Sequence, residues 1–483
     1  MKHLLLIGAA IVSIGASAPP ALPTAQPITA NDRAAGAKAH PQLLAEFGGA
    51  YAGPQADYVT KVGQKIAVQS GLSNTQGDFK ITLLNSSVNN AFAIPGGYVY
   101  VTRQLLGLMN SEAELASVMG HEVGHVAARH GQKRNRRATI GGLGAVLATV
   151  LGAAVAGDAG ARLGQQLGGS IAQSFVLSYS RAQEYEADDL GVSYLGKGGY
   201  DPLAASTMLR SLAAQTTLEA QVQGKTASAL PSRQSTHPDP ASRVARAAQK
   251  AAITPTQAKA QNRDAFLAAI DGMLYDDDPK QGIIEGQVFS HADLKLTFTA
   301  PTGFSLSNGT DAVTINGSGG RASFSGAAYN GDMSAYVTAV FKAVGGQTAL
   351  DFGRISNSQI NGLPVGFASA SANIQSGPVI VTVYAYEFSP TSAFHIVAVT
   401  PTTGTGTFNS LFESVRRLSS SEIAAIKPRI LRVVTIKSSD TIASLSARMA
   451  YKNNQTARFL TLNALSANSS LKPGQKVKIV TYN

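Results

Sequence analysis

Cysteine and tryptophan are absent from the 483 residues, and charged side chains make up only 14%. Without a thiol there is no disulfide, thiolate metal ligand, iron–sulfur cluster, cysteine nucleophile or lipoprotein anchor. The low charge, against roughly 25% in an average soluble chain, excludes a disordered polyelectrolyte. Apolar residues reach 44%, yet they are too interrupted for a multi-span membrane protein. Acid is the minority sign: 29 Asp+Glu face 40 Lys+Arg, a net +11. That balance points to an anionic partner. It is concentrated, because residues 427–483 hold ten Lys/Arg and one Asp, a net +9, leaving +2 for the first 426 residues.

The length suits about three domains. Met1-Lys2-His3, the apolar run Leu4 to Ala16 and Ala16-Ser17-Ala18 read as a secretory signal peptide, with a Pro/Ala/Thr-rich leader to about residue 30. From His40 to Gln69 the pattern is helical with a break at Gly48-Gly49. Phe79 to Leu84 reads as a strand. Ala91–Ile94 and Tyr98–Thr102 read as strands around a Pro95-Gly96-Gly97 turn. Ser111 caps a strong helix to about His130, and Glu114 completes a capping box. Helices follow near 181–196, 201–215, 240–250 and 257–274. Residues 290–418 alternate as β structure, and the stretch from Arg432 reads strand–helix–helix–strand.

Chemistry is concentrated in His121-Glu122-Val123-Gly124-His125. Histidines at i and i+4 share a helical face, so both imidazoles reach one ion. Zinc suits imidazole, and a catalytic site takes three protein ligands. Glu122 stands beside the first histidine, in reach of a water but not of the ligand set. A third ligand belongs on another element, and Glu184 of Ser180-Arg181-Ala182-Gln183-Glu184-Tyr185-Glu186-Ala187-Asp188 is the candidate. Asp188, one turn later, is placed to hold a ligand imidazole by its other N–H. The same acids, with Glu186 and Asp189, also fit a solvated helix face. His130, nine residues after His121, falls half a turn away and reads as structural. His3, His40, His291 and His395 have no informative spacing.

HEVGH followed some sixty residues later by SRAQEYEAD, with NNAFAIPGGYVYVTRQLL and NSEAELASVMGHEVGHVAARH before it, resembles the zinc metallopeptidases that include the CaaX prenyl endopeptidases, HtpX and the envelope peptidase BepA. The resemblance covers roughly residues 40–275. It implies one zinc ion per chain on His121, His125 and Glu184, with Glu122 as general base and Asp188 in support, in a gluzincin-type endopeptidase. His237, in Ser235-Thr236-His237-Pro238, matches a family His-Pro element. It is read as a donor to the oxyanion, as a ligand in a latent form, or as a loop histidine without a role. Asn90, Ala91, Phe92 and Ala93 resemble the family's edge strand, where a peptide adds by strand pairing; a buried hairpin fits the same residues.

Lys133, Arg134, Arg136 and Arg137 precede a nearly uncharged stretch, Thr139 to Gly157, open to reading as a lid, a peripheral membrane contact at 133–157 or a span. Residues 432–480 resemble a LysM glycan-binding domain, with Ser438-Ser439-Asp440-Thr441 in place of the usual Gly-Asp-Thr. A plain βααβ domain packed on the peptidase is the alternative. The expectation is an α+β multidomain protein: leader 1–30, mainly helical zincin-type metallopeptidase 31–275, β-rich domain 285–420 and LysM-like domain 430–483. Its expected place is the periplasm, membrane- or wall-associated. Its expected partners are envelope proteins and, through 427–483, peptidoglycan or another anionic surface, with no nucleic acid. The competing reading is a peptidoglycan-associated binding or assembly factor with a latent site.

Overall fold

The computed structural model describes residues 26–131, 133, 179–224, 240–345, 349–374 and 377–483. The expected signal segment to residue 25, the 139–157 stretch and His237 lie outside the described residues. No helix among the described residues is long and apolar enough to cross a membrane.

The first part is helical around a small sheet. Helices α1 (Ala30–Glu46), α2 (Pro54–Ala67), α3 (Arg103–Leu108) and α4 (Glu112–Ala127) surround strands β1 (Lys80–Leu84), β2 (Ala91–Ile94) and β3 (Tyr98–Thr102). The strand order is β1-β3-β2, with β1 parallel and β2 antiparallel to β3. The turn between β2 and β3 needs its glycines: Gly96 and Gly97 sit at φ +91° and +83°, and a Cβ would come within 2.6 Å of the Asp32 carbonyl or 2.4 Å of the Asp78 carbonyl. Ser111 Oγ accepts from Glu114 N at 3.2 Å, as expected of an N-cap. The reciprocal half of the capping box is replaced, because Glu114 Oε2 accepts from Asn110 N (2.7 Å) and its Oε1 from Thr207 Oγ1 (2.6 Å).

Helices α5 (Arg181–Lys197), α6 (Ala204–Val222), α7 (Pro240–Ile253) and α8 (Arg263–Ile270) complete this half. The helix expected over 257–274 is confined to α8, since Lys259 and Asn262 both adopt positive φ before it. Strand β4 (Leu274–Tyr275) follows and pairs antiparallel with β16 (Arg429–Thr435).

Everything between β4 and β16 folds on cores of its own. Strands β5 (Ile283–Glu285), β6 (Val288–His291), β7 (Leu296–Thr299) and β15 (Arg416–Arg417) form a four-stranded sheet. Strands β8 (Ser305–Asn308), β9 (Val313–Gly317), β10 (Gly320–Ala328), β11 (Ser356–Ile360), β12 (Leu363–Ile374), β13 (Gly377–Ser389) and β14 (Ser392–Pro401) form a seven-stranded one. Alternation along β13 builds three layers. Val381, Val383 and Ala385 face α9 (Met333–Gly345), while Tyr384 and Tyr386 face the smaller sheet and α10 (Asn409–Ser414). Helix α11 (Ser420–Ala425) leads back to the body. His395 is buried in this region, bonded to Ser325 Oγ at 3.0 Å and Tyr336 OH at 2.9 Å, and burial lowers its pKa from 6.5 to about 4. The unfolded chain therefore binds a proton near pH 6.5 that the folded one refuses until about pH 4. Stability present above pH 6.5 is lost as pH falls through that window, by about 3 kcal/mol. Denaturant unfolding of wild type against His395→Phe between pH 7.5 and 4 is expected to show a steeper loss in the wild type, the difference between the two being the His395 contribution.

The C-terminal module is β16, α12 (Ile442–Ser446), α13 (Gln455–Leu462) and β17 (Lys476–Tyr482), the expected strand–helix–helix–strand order. It shares the core of the helical part. Leu431, Phe459, Val477 and Ile479 belong to the same buried cluster as Leu115 and Met119 of α4 and Phe266 of α8. Lys478 is fully buried, and its Nζ donates to the carbonyls of Gly107 (2.7 Å), Leu108 (3.3 Å) and Met109 (2.5 Å) at the end of α3, where helix carbonyls run out of intrahelical partners. Burial drives its pKa well below that of an ordinary lysine, with Glu114 opposing. Part of the tail's positive charge is thus buried or paired within the fold. Arg429 pairs with Glu285 and Asp276, Lys452 with Glu285, Lys476 with Asp264, and Arg458 lies over the Tyr451 ring. Arg432, Lys437, Arg448 and Lys472 are the cations of the module that are exposed in addition to Lys452.

Candidate metal centre and active site

α4 and α5 cross closely because glycines stand at the crossing. A Cβ on Gly191 would lie 3.0 Å from His121 N, and one on Gly124 would lie 3.1 Å from the Ala187 carbonyl. That approach brings Glu184 to the two histidines of α4. His121 Nε2 and His125 Nε2 are 3.1 Å apart, 3.6 and 3.5 Å from the Glu184 carboxylate oxygens. Ligand atoms of all three lie within 4.8 Å of one another. Glu184 is fully buried. Two imidazoles and one carboxylate on a shared point are the donor set zinc takes in a catalytic site.

The outer ring nitrogens decide the fit. His121 Nδ1 lies 3.0 Å from Asp188 Oδ1, so its N–H donates there and its Nε2 lone pair points inward. For His125 the partner is His130, with Nδ1 to Nδ1 at 2.8 Å, and His130 Nε2 lies 3.0 Å from Glu186 Oε2. Burial lowers the His130 pKa, with Glu186 opposing, which favours the neutral ring. A neutral His130 that donates from Nε2 to Glu186 accepts at Nδ1, so His125 donates from Nδ1 and keeps Nε2 for an ion. The Tyr179 ring stacks on His125 at 3.9 Å between centroids. Replacing His130 by Ala is expected to weaken zinc binding about 10–100-fold, read by competition with a chromogenic chelator.

His130 was illegible as a site residue because spacing assumed a continuing helix. α4 ends at Ala127, and Arg129 turns the chain at φ +55°, which returns His130 to the ligand side. Arg243 on α7 was missed altogether. It is 4% exposed and spans both carboxylates: Nη1 lies 2.6 Å from Glu184 Oε2, Nη2 donates to Asp188 Oδ1 at 2.6 Å, and Nε donates to Asp188 Oδ2 at 2.7 Å. Burial alone raises the Asp188 carboxyl, but Arg243 and His121 outweigh it and hold the group well below the usual range. The available signal was position, six residues after His237 on the buried face of an amphipathic helix that also buries Ala247.

Glu122 is 4% exposed and lines one cavity with His121, Asn90, Ala91 and Arg243. β2, which carries Ala91, Phe92 and Ala93, is one of the two outer strands of its sheet among the described residues. Phe92 itself points into a separate core with Tyr98 and Tyr100.

Residues 54–251 match the family model described as Peptidase family M48. This segment is similar to that family. The M48 segment is also similar to individual proteins. It is 31% identical over 220 residues to the beta-barrel assembly-enhancing protease of Yersinia pestis, covering 44% of this chain and 42% of the relative. Mitochondrial metalloendopeptidase OMA1 of Schizosaccharomyces pombe is 32% identical over 155 residues, or 32% of this chain and 43% of the relative. Metalloprotease LoiP of Escherichia coli is 35% identical over 125 residues, or 26% and 47%. The chain therefore spans less than half the length of these M48 relatives.

Proposed function

We propose that this chain is a zinc-dependent endopeptidase that hydrolyses misfolded or unassembled proteins of the cell envelope. The observation that carries the reading is the convergence of His121, His125 and Glu184 with both Nε2 lone pairs turned inward by Asp188 and by the His130–Glu186 pair. Zinc, when held by these three residues, supplies Lewis acidity toward a carbonyl oxygen and lowers the pKa of water. Glu122, beside His121 at the cavity, accepts the proton of the attacking water and returns it to the departing amine. Asp188 and Arg243 fix His121 and Glu184 in place. The outer edge of β2 receives the substrate as an added strand, recognising backbone rather than sequence. His237 is assigned as donor to the substrate carbonyl on the sequence motif alone.

Export to the periplasm, a membrane contact by 133–157 and a LysM-type affinity of residues 427–483 for the cell wall complete the proposal. The name of the Yersinia pestis relative, a beta-barrel assembly-enhancing protease, supports the envelope as the setting. The test is zinc content together with cleavage of an unfolded, casein-like chain by the full-length protein, before and after chelation. Chelator-sensitive cleavage supports the reading. Bound zinc without turnover would point instead to a latent site in a wall-associated assembly factor.

A further inference from the structure

His121 and His125 belong to one cluster but are held in different ways. The χ2 torsion of histidine is soft, with broad preferences rather than sharp wells. An imidazole carries its lone pair in the ring plane, so a ring that tilts about χ2 swings the lone pair off an ion. His121 is gripped at Nδ1 by Asp188 at 3.0 Å. His125 is 3% exposed, and its Nδ1 contact is a second imidazole, His130, at 2.8 Å. The His121 and His130 rings meet it edge-on, at interplanar angles of 84° and 70°. Tyr179 instead lies flat on it, 18° from parallel with centroids 3.9 Å apart, closer than the roughly 4.5–7 Å of ordinary aromatic pairs. The start of α5 puts Tyr179 there. It directly precedes the N-cap Ser180, whose Oγ accepts from Gln183 N at 3.3 Å while Gln183 Oε1 accepts from Ser180 N at 3.0 Å. That capping box fixes the entry of the chain into α5, and Gln183 Nε2 ties the same turn to the His130 carbonyl at 3.5 Å.

We propose that Tyr179 is a positioning residue of the metal centre, its ring face setting the tilt of His125 so that Nε2 points at the ion. The inference rests on the zinc reading of the His121, His125 and Glu184 cluster. A metal on Nε2 draws charge out of the imidazole, and the electron-rich face of the phenol favours that polarised ring over the free one. The stack therefore constrains ligand geometry and adds metal affinity, by about 2–10-fold for one aromatic pair.

The experiment measures zinc affinity of the full-length protein by competition with a chromogenic chelator, and the visible spectrum of its cobalt(II)-loaded form, which reports ligand geometry. Tyr179→Phe keeps the ring and is expected to match wild type in both. Tyr179→Leu is expected to bind zinc about 2–10-fold more weakly and to alter the cobalt spectrum, with unfolding of the metal-free forms showing that each variant folds. If Tyr179→Leu fails to fold, Tyr179→Met, which keeps length without a ring, takes its place. A folded Leu or Met variant with the cobalt spectrum of wild type overturns the proposal and leaves the metal centre standing. Tyr179→Phe as impaired as Tyr179→Leu also overturns it, because the hydroxyl and not the ring face would then be the active part. Wild type that binds neither zinc nor cobalt overturns the zinc reading, and this inference with it.

Discussion

Glu122→Gln is expected to lower kcat/KM on an unfolded protein substrate by about 10²–10⁴-fold, the range of a lost general base, while zinc content stays at one ion per chain. The reason is geometric. Glu122 shares the cavity with His121 but is no member of the His121, His125 and Glu184 cluster. The amide keeps its size and its acceptor oxygen but cannot take a proton. A variant that loses both zinc and turnover would make Glu122 a ligand, contrary to this assignment. One that keeps both would remove it from the chemistry. Metal analysis and initial rates on the same preparation separate the three outcomes.

Arg243→Met is expected to destabilise the metal-free protein by about 3–5 kcal/mol, the usual cost of removing one partner from a buried ionic group. Glu184 and Asp188 are 0% and 7% exposed, so two carboxylates would be left to share a dry site. Methionine retains the packing of the stem, which isolates the charge effect. Zinc restores positive charge next to Glu184, so the loss is expected to be smaller in zinc than in chelator. Thermal unfolding of wild type and variant in both conditions measures this difference. Equal losses in the two would show that Arg243 serves packing rather than the carboxylates.

How much was legible follows the distance over which each feature is set. HEVGH is a local pattern on one helix, and helical periodicity suffices to put His121 and His125 on one face. Glu184 and Asp188 read similarly, one turn apart on α5, once a motif had linked the two helices. The hairpin Ala91–Thr102 was readable because Pro95-Gly96-Gly97 leaves the backbone little choice. His130 was not readable, since its place depends on where α4 stops and on the left-handed turn at Arg129. Arg243 was not readable either: an arginine in a basic amphipathic helix is ordinarily solvated, and only the packing of α7 buries it.

From the residues alone, the absence of cysteine and the His/Glu pattern leave imidazole and carboxylate as the available metal chemistry, because ligand type and helical spacing are local properties. The net +9 of residues 427–483 is also a sequence fact, but its meaning is not. A count of charges cannot tell a solvated lysine from Lys478, which is buried against the end of α3, or from Arg429, which is paired across the junction with β4 and β5. Those placements come from segments about 370 and 145 residues apart in the chain meeting in one core, and no periodicity records such a meeting.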